Sequence, residues 1–401
     1  MSAVPVSDVT LITQPDELLR AVTSLEQVEI LAVDTESNSL HAYRERVCLI
    51  QFSTCAADYL VDPLALDDLS PLGPLFGNPQ IEKVFHAAEY DLLCLQRDFG
   101  FEAVNIFDTM IAARILGRAE LGLGSLLDVE LGVQVNKRYQ RADWGQRPLP
   151  EHLIDYARLD THYLIPLRQR LQDELAERGL TTLAQEDFRM AAIKPTDLAV
   201  SRNGGAGGNG RVAESGRPEA ADRPVDCWRV SGSYDLPAQQ AAVLMELCRY
   251  RDEVARKLDR PLFKVFSDQT LLAIAAELPK RLDELRPLPG MSLYQMKRHG
   301  KQLLRAVQRG LQAPPVYPVR APRPDERFSE RLEALRVWRK TLANEIGVGS
   351  DVILPRDLMV SLAEKAPRTE DELAQAMQVA PWRLEHFGEQ ILGALTKRGA
   401  A

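Results

Sequence analysis

The first 200 residues alternate short apolar runs with longer stretches of helical period. VEILAVDT (28–35), VCLIQFST (47–54) and EKVFHA (82–87) are rich in Val, Ile and Phe and bounded by polar turns, which predicts three strands. PDELLRAVTSL (15–25), AAEYDLLCLQRDFG (87–100), DTMIAARILG (108–117) and PEHLIDYARLDTHYLIPLRQRLQDELAERG (150–179) repeat apolar residues at every third or fourth position, the spacing of amphipathic helices. Strands come early and helices dominate later, so the pattern predicts an α/β domain with a mixed sheet.

The pattern then stops. KPTDLAVSRNGGAGGNGRVAESGRPEAADRPVD (194–226) is dense in Gly, Pro, Ser and charge and reads as a tether. It contains GAGGNG, Gly205 to Gly210, a formal G-x-G-x-x-G. A phosphate loop of that form needs a strand before it and a helix after it, and the flanking sequence supplies neither. Beyond it the chain is helical and repeats itself. LCRYRDEVARKLDRPLFKVFSDQTLLAIAAELP (247–279) resembles LRVWRKTLANEIGVGSDVILPRDLMVSLAEKAP (335–367), with Tyr250 matching Trp338, Arg251 matching Arg339 and Ala255 matching Ala343. HGKQLLRAVQRG (299–310) likewise resembles FGEQILGALTKRG (387–399). An offset of about 88 residues is too long for a solenoid and long enough for a small domain. The expected organisation is an α/β domain over 1–193, a linker over 194–232, and two copies of one helical module over 233–312 and 326–400, joined by APPVYPVRAPRPDE (313–326).

Charge sharpens this division. Residues 1–200 hold 17 Lys and Arg against 31 Asp and Glu, and the remainder 32 against 26, so an acidic first half precedes a mildly basic second half. An acidic whole argues against nucleic-acid binding as a bulk property, but not against a local basic groove. The five cysteines form no CxxC pair and most sit in apolar runs, which predicts reduced, buried thiols in a cytoplasmic protein. No basic-then-apolar leader opens the sequence and no apolar run approaches the roughly 20 residues of a membrane span, so neither export nor a membrane is expected.

Three stretches carry candidate chemistry. In LAVDTESN (31–38) an apolar strand ends in Asp34 and Glu36, two residues apart and therefore on one face. Such a pair repels itself unless a cation lies between; hard ions such as Mg²⁺ or Mn²⁺ suit these oxygens, and a strand end emerging into solvent is the alternative. Thr35 between them faces the other way and is left out of the ligand set. In VFHAAEYDLL (84–93), Asp91 falls among leucines, a costly place for an acid unless it is paired or metal-bound. Nearby Glu89 and Asp98 read as solvated surface. In YARLD, Tyr156 and Asp160 stand one helical turn apart on one face, where a phenol can orient a metal-held water.

Together these stretches, in this order, resemble the DEDD superfamily of 3′–5′ exonucleases in its tyrosine subtype. VNKRYQRADWGQRPLPEHLIDYARLDTHYL (135–164) is closely similar to the corresponding stretch of the bacterial ribonuclease D family, and the paired helical modules look like HRDC domains. The resemblance spans nearly the whole chain except the linker. It implies a ribonuclease H-like α/β nuclease domain followed by two all-α HRDC-like bundles. It implies two divalent ions (Mg²⁺ or Mn²⁺) held by Asp34, Glu36, Asp91 and Asp160, with Asp34 bridging and Tyr156 orienting the attacking water. The implied activity is removal of nucleoside 5′-monophosphates from RNA 3′ ends by a monomer, with tRNA precursors as substrates. A DNA exonuclease and an inert nucleic-acid-binding relative are the competing readings.

Around Trp144, the residues Lys137, Arg138, Arg141 and Arg147 are candidates for substrate phosphates; a solvated basic loop with Trp144 packed on the core is the alternative. His86 is either a core histidine or a partner behind the ligands, and it is counted with Lys137, Arg141 and Arg147 among the candidate substrate-binding residues. Asp108 is expected to cap the helix that begins DTMIAARIL. The modules lack a comparable acidic cluster and read as RNA-binding accessories. Arg249, Arg256 and Lys257 lie on a wet helix of the first, while the acidic TEDELAQ (369–375) suits the second to docking more than to phosphate contact.

Overall fold

A computed structural model describes residues 9–135, 138–192, 225–318 and 325–396. Six strands form one sheet: β1 (Val9–Ile12), β2 (Ile30–Ser37), β3 (Val47–Ser53), β4 (Asp58–Val61), β5 (Glu82–Phe85) and β6 (Ile106–Asp108). Their order is β1-β4-β3-β2-β5-β6. β3 runs antiparallel to both β2 and β4, and the other neighbours are parallel, so the sheet is mixed as the pattern predicts. The three strands read from sequence form its centre. The three that were not read have only three or four residues each.

Helices cover both faces. On one lie α1 (Pro15–Leu25), α2 (Gly73–Gly77) and α3 (Glu89–Phe99), over a core that includes Leu31 and Val33 of β2. On the other lie α4 (Thr109–Ile115), α5 (Leu123–Leu131), α6 (Glu151–His162), α7 (Leu164–Glu177) and α8 (Thr181–Ala192), over Ala32, Val84 and Phe107. β2 thus sends its odd residues to one helical layer and its even residues to the other, as strand alternation requires. The long helical pattern over 150–179 is broken at Tyr163, which leaves helical geometry between α6 and α7.

The modules repeat with a strict offset. The first contains α9 (Ala238–Leu258), α10 (Leu262–Val265), α11 (Asp268–Glu277), α12 (Leu282–Leu285) and α13 (Leu293–Gln312). The second contains α14 (Glu326–Ile346), α15 (Ser350–Ile353), α16 (Arg356–Lys365), α17 (Glu370–Ala376) and α18 (Pro381–Thr396). Every helix of the second begins 88 residues after its counterpart. Even the left-handed residue that ends α11, Leu278 (φ 51°), recurs after α16 as Ala366 (φ 48°). The expected linker, 194–232, lies outside the described residues as far as 224, as does GAGGNG. Its last residues are not tether: Cys227 and Val230 are buried in the core of the first module, because these two apolar side chains cover α9.

The chain forms two units: the α/β domain with the second module, and the first module with residues 38–46. Within the latter, the Tyr43 hydroxyl donates to Asp252 Oδ1 (2.7 Å) and its backbone N–H to Asp259 Oδ1 (3.1 Å). In the first unit the second module is fastened to α8 through Arg383, which is wholly buried. Its guanidinium donates to Glu186 Oε1 (2.6 Å), Asp187 Oδ1 (2.6 Å) and Oδ2 (3.1 Å), and the carbonyls of Ile353 (3.1 Å) and Val352 (2.7 Å). All five donors are used, which is how a buried charge becomes tolerable. Among the described residues no helix is long and apolar enough to cross a membrane.

Candidate active site

The carboxylates gather at the end of β2. Asp34 lies opposite Gln51 of β3, and Glu36 opposite Leu49, on the face covered by α6. α6 brings Tyr156 and Asp160 to the same region. The Tyr156 ring is held edge-on to Tyr139 (centroids 5.7 Å apart, 78°) and lies 6.1 Å from the Trp144 ring.

Asp91 arrives from the opposite layer, on the first turn of α3. It is buried, and the Thr35 hydroxyl donates to its Oδ1 at 2.5 Å. Thr35 does face away from Asp34 and Glu36, yet that direction is what lets it hold Asp91; leaving it out of the ligand set overlooked this role. Asp108 caps α4 as expected, accepting from Met110 N (2.8 Å) and Ile111 N (3.1 Å). It also accepts from Ala87 N (3.1 Å) and Ala88 N (2.8 Å). Ala87 has φ 62°, uncommon for a residue with a Cβ, so Asp108 pins the strained turn that launches α3 and Asp91.

The electrostatics of the cluster have one sign. Burial is the largest cause in every case, raising the Asp34, Glu36 and Asp91 carboxyls well above their usual range and Asp160 to about 7. The next cause is mutual repulsion: Asp160 acts on Asp34, Asp34 acts on Asp91, and all three act on Glu36. The only opposing influences are hydrogen bonds from Thr35 and the Asp91 backbone. The Tyr156 hydroxyl is also pushed up, by burial and then by Asp160, Glu36 and Asp34, so it stays protonated. Four acids from three elements, buried without a cation among the groups that shift them, fit a site for hard divalent ions. Among the described residues no three acidic, imidazole or thiol groups already close around a point as a finished cage. The acids sense one another electrostatically, and a cation between them would remove the repulsion.

Behind these groups lies a polar layer not singled out from sequence. Ser53 Oγ donates to Asp58 Oδ1 (2.7 Å) and shares a hydrogen bond with Thr161 Oγ1 (2.7 Å); His162 Nδ1 meets Asp58 Oδ2 (2.9 Å). Thr161 and His162 directly follow Asp160, so this buried network keys the end of α6 to β3 and β4. Gln51, wholly buried, has no protein partner for either amide atom. The only sequence signal was polarity inside apolar runs, at Gln51 and Ser53 of VCLIQFST.

The substrate-side candidates divide. Arg147 is corrected: it is a structural clamp, giving Nε and Nη2 to Asp62 (2.7 Å each) and the rest of its donors to the carbonyls of Cys48, Trp144 and Gln146. Trp144 is buried with Leu149 and Leu153, so its side chain packs on the core. Arg138 and Arg141 are exposed, and Lys137 lies outside the described residues. His86 shares a hydrogen bond with Thr109 Oγ1 (2.9 Å), and burial lowers its pKa, as for a half-buried core histidine. Asp98 is not solvated surface: it pairs with Arg97 and accepts from Val47 N at 2.7 Å, whereas Glu89 is exposed as expected. Arg249 and Arg256 pair with Glu246 and Asp252 of their own helix.

Comparison with known proteins places these features in a family. The description 3′-5′ exonuclease matches residues 9–176, and HRDC domain matches 240–307 and 328–395. Ribonuclease D of Pseudomonas paraeruginosa is 29% identical over 370 residues, covering 91% of this chain and 92% of its own. Exosome complex component 10 of Mus musculus is 36% identical over 272 residues, 67% of this chain and 29% of that protein. The chain spans less than half the length of the exosome-type relatives it matches. The crystal structure of Escherichia coli RNase D superposes with a TM-score of 0.66 at 25% identity, covering 97% of this chain and 99% of that one. The chain carries a 3′-5′ exonuclease domain over 9–176 followed by two HRDC domains, the arrangement of ribonuclease D, to which it is similar over nearly its whole length.

Proposed function

We propose that the protein is a metal-dependent 3′→5′ exoribonuclease that removes nucleoside 5′-monophosphates from single-stranded RNA 3′ ends. The observation that carries this reading is the group of four mutually repelling carboxylates, Asp91 buried and the other three half-buried, beside a protonated tyrosine. Asp34, Glu36, Asp91 and Asp160 would hold the divalent ions, two of them, Mg²⁺ or Mn²⁺. When bound, such ions supply charge stabilisation for the attacking and leaving oxygens of an in-line displacement and acidify a water. Thr35 fixes the carboxylate of Asp91, and the Ser53–Asp58–His162 network fixes the turn that carries Asp160. Tyr156 is a hydrogen-bond donor here, not a base: with its pKa pushed above the ordinary ~10 it is already protonated at neutral pH, and its hydroxyl orients the nucleophile.

Single-stranded ends follow from the cost of unpairing a base before it can enter the site. The RNA preference is drawn from the relatives, one of which is described as an exoribonuclease involved in structured RNA processing. Trimming of tRNA precursors, by a cytoplasmic monomer, is the role this reading assigns. On the first module Phe263 and Tyr294 are exposed next to Lys264 and Arg298, a surface suited to stacking bases and holding phosphates.

The test compares matched RNA and DNA oligomers with Mg²⁺ or Mn²⁺, for the wild type and Asp34→Ala. Release of mononucleotides from RNA by the wild type alone, abolished by EDTA without unfolding, is the expected result. Preferential hydrolysis of DNA, equal activity of the variant, or activity retained in chelator would overturn the reading.

A further inference from the structure

The two modules share a framework arginine whose surroundings differ. In the first, Arg251 Nη1 donates to the carbonyl of Phe266 (3.2 Å), at the end of α10, and to Asp268 Oδ1 (2.6 Å). In the second, Arg339 makes the equivalent backbone bond, to Leu354 O at 2.8 Å. The counter-ion is gone, because the position 88 residues after Asp268 is Arg356. Two further positions around the same arginine change in the same direction: Cys248 becomes Arg336 and Asp252 becomes Lys340. In the other direction, Arg256 and Arg260 give way to Asn344 and Val348.

The result is concave. A cavity of about 360 Å³ is lined by Arg336, Arg339, Lys340, Asn344 and Ser350, with no carboxylate in its wall. Arg339 Nε is buried without a protein partner, as is Arg251 Nε in the first module, so the two modules differ in the charges around the arginine and not in this atom. Burial, Arg336 and Arg356 all disfavour the charge of Arg339, and Asp351 alone favours it. Asp351 is shared with Arg114 of α4 (3.4 Å), and Glu333 pairs with Arg336 (2.6 Å) outside the lining. An intramodule ion pair on the framework arginine has been exchanged for a cluster of four cations, Arg336, Arg339, Lys340 and Arg356, that the module's own Glu333 and Asp351 only partly offset.

We propose that this cavity is a binding site for a phosphodiester of the RNA substrate, away from the 3′ end being cut. It rests on the exoribonuclease reading for the identity of the polymer. Guanidinium groups match phosphate oxygens in geometry, and a volume at the small end of ligand pockets admits a phosphate with part of its sugar. Because Arg383 fastens this module to α8, the site is fixed to the nuclease domain and would hold one RNA at a constant distance from its cleaved end.

The experiment measures equilibrium binding of full-length protein, in EDTA, to a long single-stranded RNA and to an oligonucleotide of a few nucleotides. The variants are Arg336→Gln with Lys340→Gln, and Arg356→Asp, which restores the counter-ion present in the first module. The long RNA is expected to lose roughly tenfold in affinity relative to the short one, with the slope of log affinity on log salt shallower by about 1 to 2. Arg356→Asp should do this without lowering the melting temperature, which separates lost binding from lost folding. An unchanged long-to-short affinity ratio in both variants, or binding of free phosphate with no effect on RNA, overturns the proposal. Hydrolysis of the short RNA by the wild type with Mn²⁺ is scored separately: its absence overturns the exoribonuclease reading, while the binding ratio still decides the cavity.

Discussion

Asp160→Asn should stabilise the metal-free protein while destroying its function. The native state holds the Asp160 proton up to about pH 7, whereas the usual carboxyl releases it at 3.8. Between those values the native state binds more protons than the unfolded chain, so stability falls as pH rises through the window, and the deficit is complete above it. A shift of that size corresponds to about 4 kcal/mol at 1.36 kcal/mol per pH unit; the side chain is half-buried, and screening by solvent cuts this to about 2 kcal/mol. Asparagine keeps the shape and removes the charge. For a unit of this size about 2 kcal/mol is a rise of roughly 4–8 °C in melting temperature. The assay is a thermal melt in EDTA at a series of pH values. Wild type and variant should coincide near pH 4 and diverge as pH rises, the variant melting higher at pH 8. Mn²⁺ about a hundredfold above its Kd should then raise the wild type by about 2.7 kcal/mol and the variant far less. A variant that melts below the wild type in EDTA at pH 8, or a wild type whose stability rises from pH 4 to 7 through this group, would refute the picture of mutually repelling acids awaiting a cation.

Arg383→Ala should cost about 3–5 kcal/mol, because Glu186 is left buried without its charge partner, and should expose α18 to protease before the α/β core unfolds; a melt and proteolysis pattern like the wild type's would show that the fastening to α8 is dispensable. Gln51→Leu should raise stability by about 1–2 kcal/mol in denaturant unfolding, since it removes a buried amide that has no protein partner. A loss of stability instead would mean that the amide is satisfied in solution by ordered water.

Much of this protein was legible along the chain. The central strands, most of the helices of the α/β domain and the repeat follow from local period and self-similarity, which are properties of neighbouring residues. Asp34, Glu36 and Asp91 stood out because acids at the end of an apolar strand or on a leucine-rich helix conflict with their surroundings, and Tyr156 and Asp160 because they stand one helical turn apart and complete an order of residues that resembles an exonuclease family. The edges of the sheet and the short β4 beside one of them could not be read: β1, β4 and β6 have three or four residues each, and β1 pairs with a strand nearly 50 residues away in sequence, Val9 opposite Asp58.

Tertiary structure alone decided which polar groups act together. Nothing local distinguishes Arg147, whose donors are spent on Asp62 and three carbonyls, from Arg141 on the surface. Nor does alternation along β2 reveal that Thr35, facing away from the acids beside it, meets Asp91 arriving from the other helical layer. Period and composition report what each residue prefers. Hydrogen bonds between groups 56 or 85 residues apart exist only once the layers have packed, and here they turn a row of acids into one site.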